Sequence, residues 1–152
     1  MVSSDPVKCL AAAAFLVLLL GAASPALAGK QLALIVSTRS SIDQLDSPLV
    51  RRLFLGLTVT QHGSRLRPVL NEADPQMKEL FLQNIVAMSD STYDRYVLHL
   101  SLLQGRTQPI VYKTTAELLN AVASDPTVVG YAWAKDVARD PRVRILRIVW
   151  HD

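Results

Sequence analysis

Residues 66–86 read LRPVLNEADPQMKELFLQNIV, and the change of period inside this stretch decides what the chain becomes. The apolar run from Leu66 to Leu70 has the length and composition of a strand. Asn71 to Asp74 break it, and beyond Pro75 the residues Met77, Leu80, Phe81, Ile85 and Met88 recur at helical spacing. Asp74 is a strong N-cap followed by the residue best suited to the first helical position, so its carboxylate is expected to accept the free N–H of Gln76 or Met77. Bare N–H groups at a helix start attract anions. Here the chain supplies its own, and Glu72 adds a like charge that repels an incoming phosphate unless Lys78 or an arginine from elsewhere compensates.

Working outward, the pattern repeats. LALIV at 32–36 is a short continuous apolar run, as in a strand buried on both faces. SPLVRRLFLG at 47–56 reads as a helix with Ser47 as its cap, Pro48 in the first position, and Leu49, Val50, Leu53 and Phe54 on one stripe. Gly56 is placed to close it in a left-handed conformation. Residues 57–64 read as a loop or weak hairpin. A second helix beyond Ser91 carries Tyr93, Tyr96, Val97, Leu100 and Leu103 as its apolar stripe and ends at Gly105. Thr114 and Glu117 form a capping box ahead of Leu118, Leu119 and Val122. TVVGYAW at 127–133 and VRILRIV at 143–149 are rich in β-branched and aromatic residues and read as strands, with Tyr131 and Trp133 sharing one core-facing side. The expected architecture is an α/β sandwich.

The first 28 residues carry a different signal. Lys8 precedes the apolar run from Cys9 to Leu20, and Ala26, Leu27 and Ala28 form a small-x-small cleavage site, the pattern of a secretory signal peptide over 1–28. The apolar core is short for a membrane span, and no later stretch reaches the roughly 18 to 20 apolar residues a span needs. Cleavage after Ala28 leaves 29–152 as one expected domain without stable membrane insertion. Cys9, the only cysteine, falls within the signal, which excludes disulfide and thiol chemistry from the remainder. The net charge of +3 is a small excess, and aromatic residues are not interleaved with basic ones, so nucleic acid is not an expected partner.

Catalytic constellations are absent from the sequence. His62, His99 and His151 are widely spaced, no H-E-x-x-H occurs, and neither a nucleophile elbow nor a phosphate-cradling glycine loop is present, so no enzyme activity, metal or cofactor is expected. The most suggestive polar cluster is STRSS: Ser37, Thr38, Arg39, Ser40 and Ser41 follow the first buried strand, where open α/β sheets place their ligand crevice. Four hydroxyls and a guanidinium can satisfy an oxyanion; the plain alternative is a turn whose Ser and Thr bond the neighbouring backbone. Arg139, Arg142, Arg144 and Arg147 surround the last strand, where basic side chains discourage edge-to-edge aggregation.

The order of these pieces resembles the phosphate-binding-protein-like domain of the type 2 periplasmic solute-binding superfamily. LVRRLFLG is similar to that family's helix ending in F-L-G, LRPVLNEADPQMKELFLQNIV to its P-V strand and following helix, and DPTVVGYAWAKD to its P-G-A-I-G-Y-V segment. The resemblance spans about residues 31–149. It implies a single-lobe, three-layer α/β sandwich with a small mixed sheet and flanking helices, in an exported, periplasmic, non-enzymatic protein. Its implied partners are a small oxyanion or another envelope protein, with a link to phosphate uptake or sensing. A phosphate transporter accessory protein is the alternative, and a hydrolase with a cryptic site is the reading from another class. In phosphate-binding members the loop before the second helix is similar to R-x-D-x-S-G-T. Aligned on Phe81, its arginine falls at Asn71 and its S-G-T at Pro75, Gln76 and Met77, so none of the anchors is retained.

Overall fold

The computed structural model describes residues 29–152; the signal peptide expected over 1–28 lies outside the described residues. Five strands form one mixed sheet in the order β5-β4-β6-β1-β7. They are β1 (Gln31–Ser37), β4 (Arg67–Asn71), β5 (Ile110–Tyr112), β6 (Val128–Trp133) and β7 (Val143–His151). β4 runs parallel to both β5 and β6, whereas β1 runs antiparallel to β6 and β7. A two-strand hairpin, β2 (Thr60–Gln61) with β3 (Ser64–Arg65), falls at the end of the stretch 57–64 read as a loop or weak hairpin and runs one residue past it.

Burial on both faces follows from the continuous apolar runs. From β1, Leu32, Leu34 and Val36 enter one core with α1 (Ser47–Phe54), α2 (Pro75–Phe81) and α3 (Asp90–Gln104). Ala33 and Ile35 enter the other, beneath α4 (Thr115–Ser124) and α5 (Ala134–Val137). β6 divides in the same way, with Tyr131 and Trp133 on the α1/α2 side and Val128 and Ala132 on the α4 side. The result is helix, sheet, helix. Gly130 lets α4 pack closely on β6, because a Cβ there would stand 3.3 Å from Val122 Cγ2 and 3.4 Å from Leu118 Cδ2 on α4, and 3.1 Å from Val69 Cγ2 on β4.

Several local expectations are corrected. Asp46, not Ser47, caps α1: its Oδ1 accepts the N–H of Leu49 at 2.9 Å, and Ser47 is the first helical residue. The Ser47 hydroxyl instead accepts from Arg147 Nη2 at 2.6 Å. The stripe running from Met77 to Met88 is not one α-helix, since Leu82–Val86 winds as a π-helix and Ala87 stops it in a left-handed conformation with φ 60. The wider turn buries Leu82, Ile85 and Val86 together, and Arg51 Nε donates to the carbonyl of Val86 freed at its end, at 3.0 Å. On α3 only Tyr93 is fully buried; Leu103, assigned to the apolar stripe, is 70% exposed. Gly56 does take a positive φ of 77 after α1. The hydroxyls of Tyr93 and Tyr96 donate to the carbonyls of Phe54 and Leu55 just before it, which fixes α3 on the end of α1.

Candidate functional site

In open α/β sheets the ligand crevice lies beyond the carboxyl ends of the parallel strands. Here those ends are Asn71 on β4, Tyr112 on β5 and Trp133 on β6, with the start of α2 beside them. Asn71 is fully buried and committed: its Nδ2 donates to the carbonyl of Tyr131 at 3.2 Å, and its Oδ1 accepts the N–H of Ala73 at 3.0 Å. The Tyr131 hydroxyl returns a bond to the Asn71 carbonyl at 3.1 Å. The Asn71 side chain therefore clamps β4 to β6.

Asp74 caps α2 as expected, Oδ1 accepting the N–H of Gln76 at 2.9 Å. Its other oxygen accepts the indole N–H of Trp133 at 2.9 Å, a partner that nothing in the local sequence announces. Burial alone would raise the Asp74 carboxyl, but the indole, the N–H groups of Gln76 and Met77 and the nearby Lys30 outweigh it and hold the acid below its ordinary value. Lys30 donates to Gln76 Oε1 at 3.0 Å and stands 5.4 Å from the centre of the Trp133 ring. A cleft of about 290 Å³ lies alongside, lined by Lys30, Gln31, Trp133, Ala134 and Lys135.

On the other side of the α2 start, Lys78 is buried and gathers three carboxylates. Its Nζ lies 2.7 Å from Glu72, 2.7 Å from Asp90 and 3.7 Å from Asp94, while Lys113 pairs with the second oxygen of Glu72. Burial pulls Lys78 down, yet the bonds to Asp90 and Glu72 more than compensate and raise it. The hydrogen bonds from Lys113 and Lys78 depress Glu72. Lys78, the cation available to compensate a bound anion, is thus already neutralised by the chain's own acids.

These shifts set an expected pH profile. Glu72, Asp74, Asp125 and Asp140 all have folded-state values below the ordinary ones, so their stabilisation is present above the unfolded carboxylate range and is lost as pH falls through the folded values. Lys78 is raised, and burial pushes the hydroxyls of Tyr93 and Tyr131 up, so those contributions are lost as pH rises beyond the unfolded values. The melting temperature should be flat between roughly pH 5 and 9 and fall on both sides. Thermal melts across that range check this, and Glu72→Gln should show a shallower acid limb than the wild type.

The STRSS segment sits elsewhere. Because β1 is antiparallel to β6, Ser37 lies at the end of the sheet opposite Asn71 and Trp133. The Ser37 hydroxyl donates to the carbonyl of Ala123 at 3.5 Å and accepts the N–H of Arg39 at 3.2 Å. Thr38 Oγ1 donates to the carbonyl of Arg142 at 3.1 Å, and Ser40 Oγ accepts the N–H of Ile42 at 3.3 Å. Arg39 Nη2 donates to the carbonyls of Ala123 and Ser124, at 2.9 and 3.0 Å, where α4 ends. Ser41 is exposed.

The arginines around β7 are engaged with the same region. Arg144 donates to the carbonyls of Ser40 and Ile42, Arg147 to that of Leu45, and Arg142 pairs with Asp140 at 2.7 Å. Arg144 and Arg147 tie the 38–47 connection to an edge strand. Among the described residues no buried side-chain nitrogen or oxygen lacks a hydrogen-bond partner, and no group of three His, Cys, Asp or Glu side chains is placed to hold a metal ion. Nor is any helix among them long and apolar enough to cross a membrane.

No protein-family model matches the chain, and no curated protein does. Solved structures do. An ABC-type phosphate transport receptor from Vibrio cholerae superposes with a TM-score of 0.57 at 14% identity, over 78% of this chain and 46% of that one. A protein with bound phosphate from Clostridium perfringens gives 0.58 at 16% identity, over 78% and 44%. PstS from Borrelia burgdorferi gives 0.51 at 11% identity, over 74% and 44%. The chain therefore shares its fold with phosphate-binding proteins of ABC transporters and spans less than half the length of each of these three.

Proposed function

We propose that the chain is an exported, periplasmic, non-enzymatic module of the solute-binding fold that acts by contact with another envelope protein or by weak solute contact, and not by trapping an oxyanion as a transport receptor does. The observation that carries this is the Asp74 carboxylate, seated on the N–H of Gln76 and the indole of Trp133 where an incoming anion would need free donors. Glu72 stands beside it, and Asn71 spends its amide on Tyr131 and Ala73. A small anion held by one lobe also stays open to water, which competes for each of its hydrogen bonds. The alternative, a phosphate-transport accessory, keeps Ser37, Thr38, Arg39, Ser40 and Ser41 as its site and Arg39 as the attracting charge. Among the described residues a hydrolase reading has no nucleophile and base in contact to support it.

Calorimetric titration of phosphate, sulfate and molybdate into the processed protein and into Arg39→Ala separates the readings. A closed crevice end predicts no binding tighter than the millimolar range in either protein. Tight phosphate binding lost in Arg39→Ala supports the accessory reading, and tight binding kept in Arg39→Ala overturns the closed crevice end.

A further inference from the structure

The two open edges of the sheet are built differently. β7 is guarded by Arg142, Arg144 and Arg147 close to or within it and by two shifts of register against β1, devices that discourage pairing with another chain. β5 is protected only by its short length and by Pro109 and Lys113 at its two ends, and it carries no bulge. Ile110 and Val111 are 47% and 38% exposed, and among the described residues no backbone hydrogen bond from another segment reaches the side of β5 facing away from β4. Clefts flank it on both sides. One of about 340 Å³ is lined by Leu57, Arg65, Pro68, Pro109 and Ile110; another of about 180 Å³, on the face of Val111, is lined by Tyr93, Leu98 and Val111 and by Glu72 and Asp94, whose charges are met by Lys78 and Lys113. Leu98 and Leu102 on α3, one turn apart, are 51% and 73% exposed.

We propose that the edge of β5 accepts an extended segment of another protein, apolar at alternate positions and bearing carboxylates at the end that meets Arg65 and Arg106. Main-chain pairing with an open edge supplies affinity, and the side-chain clefts supply selection. Charge selects the occupant. The larger cleft is lined by Gly56, Arg65 and Arg67 and by no carboxylate. Arg67 already pairs with Asp125 at 3.0 Å, Arg65 has no ion pair among the described residues, and Arg106 stands at the cleft's edge with Nη1 donating to the Gly56 carbonyl at 3.0 Å. A second copy of the chain is the poorer match, because the segment GRTQPIVYK at 105–113 that it would present carries Arg106 and Lys113 and no acid. Whatever the crevice end binds leaves this edge free, since β5 pairs with β4 along its other side.

The test uses a short dye-labelled peptide alternating glutamate with valine, a lysine-valine counterpart, and a backbone N-methylated form of the first. The glutamate peptide should bind and shift the amide resonances of Ile110–Tyr112, and its affinity should fall about tenfold in Arg65→Glu and further in Arg65→Glu/Arg106→Glu. The lysine and N-methylated peptides should not bind. Equal binding of the glutamate and lysine peptides, amide shifts confined to the crevice end, or a concentration-dependent dimer paired through β5 would each overturn the proposal.

Discussion

Phe81→Ala should cost about 3–5 kcal/mol of folding stability, read as a lower urea midpoint at an unchanged slope. Phe81 is fully buried at the end of α2, stacked on Tyr131 with ring centres 4.0 Å apart and 8° between planes, and it meets Phe54 edge-on at 4.7 Å. Truncation therefore removes the ring contacts of two neighbours as well as its own transfer energy. The site feels the loss, because Tyr131 is the residue whose hydroxyl and carbonyl hold Asn71. Amide exchange at Ala73, whose N–H bonds Asn71 Oδ1, should accelerate together with that of α2. Phe81→Leu keeps most of the volume and should lose roughly 1–2 kcal/mol. A loss in Phe81→Leu no larger than its small change in buried apolar volume would mean that the stack contributes nothing beyond burial.

The layers of the fold were legible because continuous apolar strands can be buried only between two helix layers, and the runs at 32–36 and 127–133 carry that information locally. Caps were legible to within a residue. Asp74 and Thr114 act as their spacing implies, while at α1 the cap slipped from Ser47 to Asp46, both of them good capping residues. The direction of β1 was not legible. A strand's amino acids do not say whether its neighbours run parallel, and with β1 antiparallel to β6 the segment after it lands at the end of the sheet away from Asn71 and Trp133. The Asp74–Trp133 bond joins residues 59 positions apart and leaves no periodic trace. Leu103 misled for another reason: a helix at the margin of a sheet has less core to cover than its apolar residues suggest, and α3 buries little beyond Tyr93.

Asp74 carries the second large effect, because one carboxylate performs two tasks that single substitutions can separate. Asp74→Ala removes the acceptor for the N–H of Gln76, about 0.5–2 kcal/mol as a lost cap. It also leaves the indole N–H of Trp133, on a side chain only 6% exposed, without an acceptor, at about 1–3 kcal/mol. The combined loss should be roughly 2–4 kcal/mol in chemical denaturation. Asp74→Ser keeps a capping oxygen too short to reach the indole as well, so it should recover the first part and not the second. In a Trp133→Phe background the indole N–H is gone, and Asp74→Ala should then cost the cap alone. The resulting coupling between positions 74 and 133 should be about 1–2 kcal/mol. The same variants probe the closed crevice end. If Asp74 merely occupied an otherwise competent anion site, deleting its charge would expose the α2 N–H groups beside Lys30 and create phosphate affinity that weakens with salt. Asn71, Pro75 and Met77 stand where that site would need an arginine and hydroxyls, so Asp74→Ser should still show no phosphate binding tighter than the millimolar range. Submillimolar binding would make the carboxylate a plug in a preserved site, and the chain would then be an oxyanion binder held shut by its own acid.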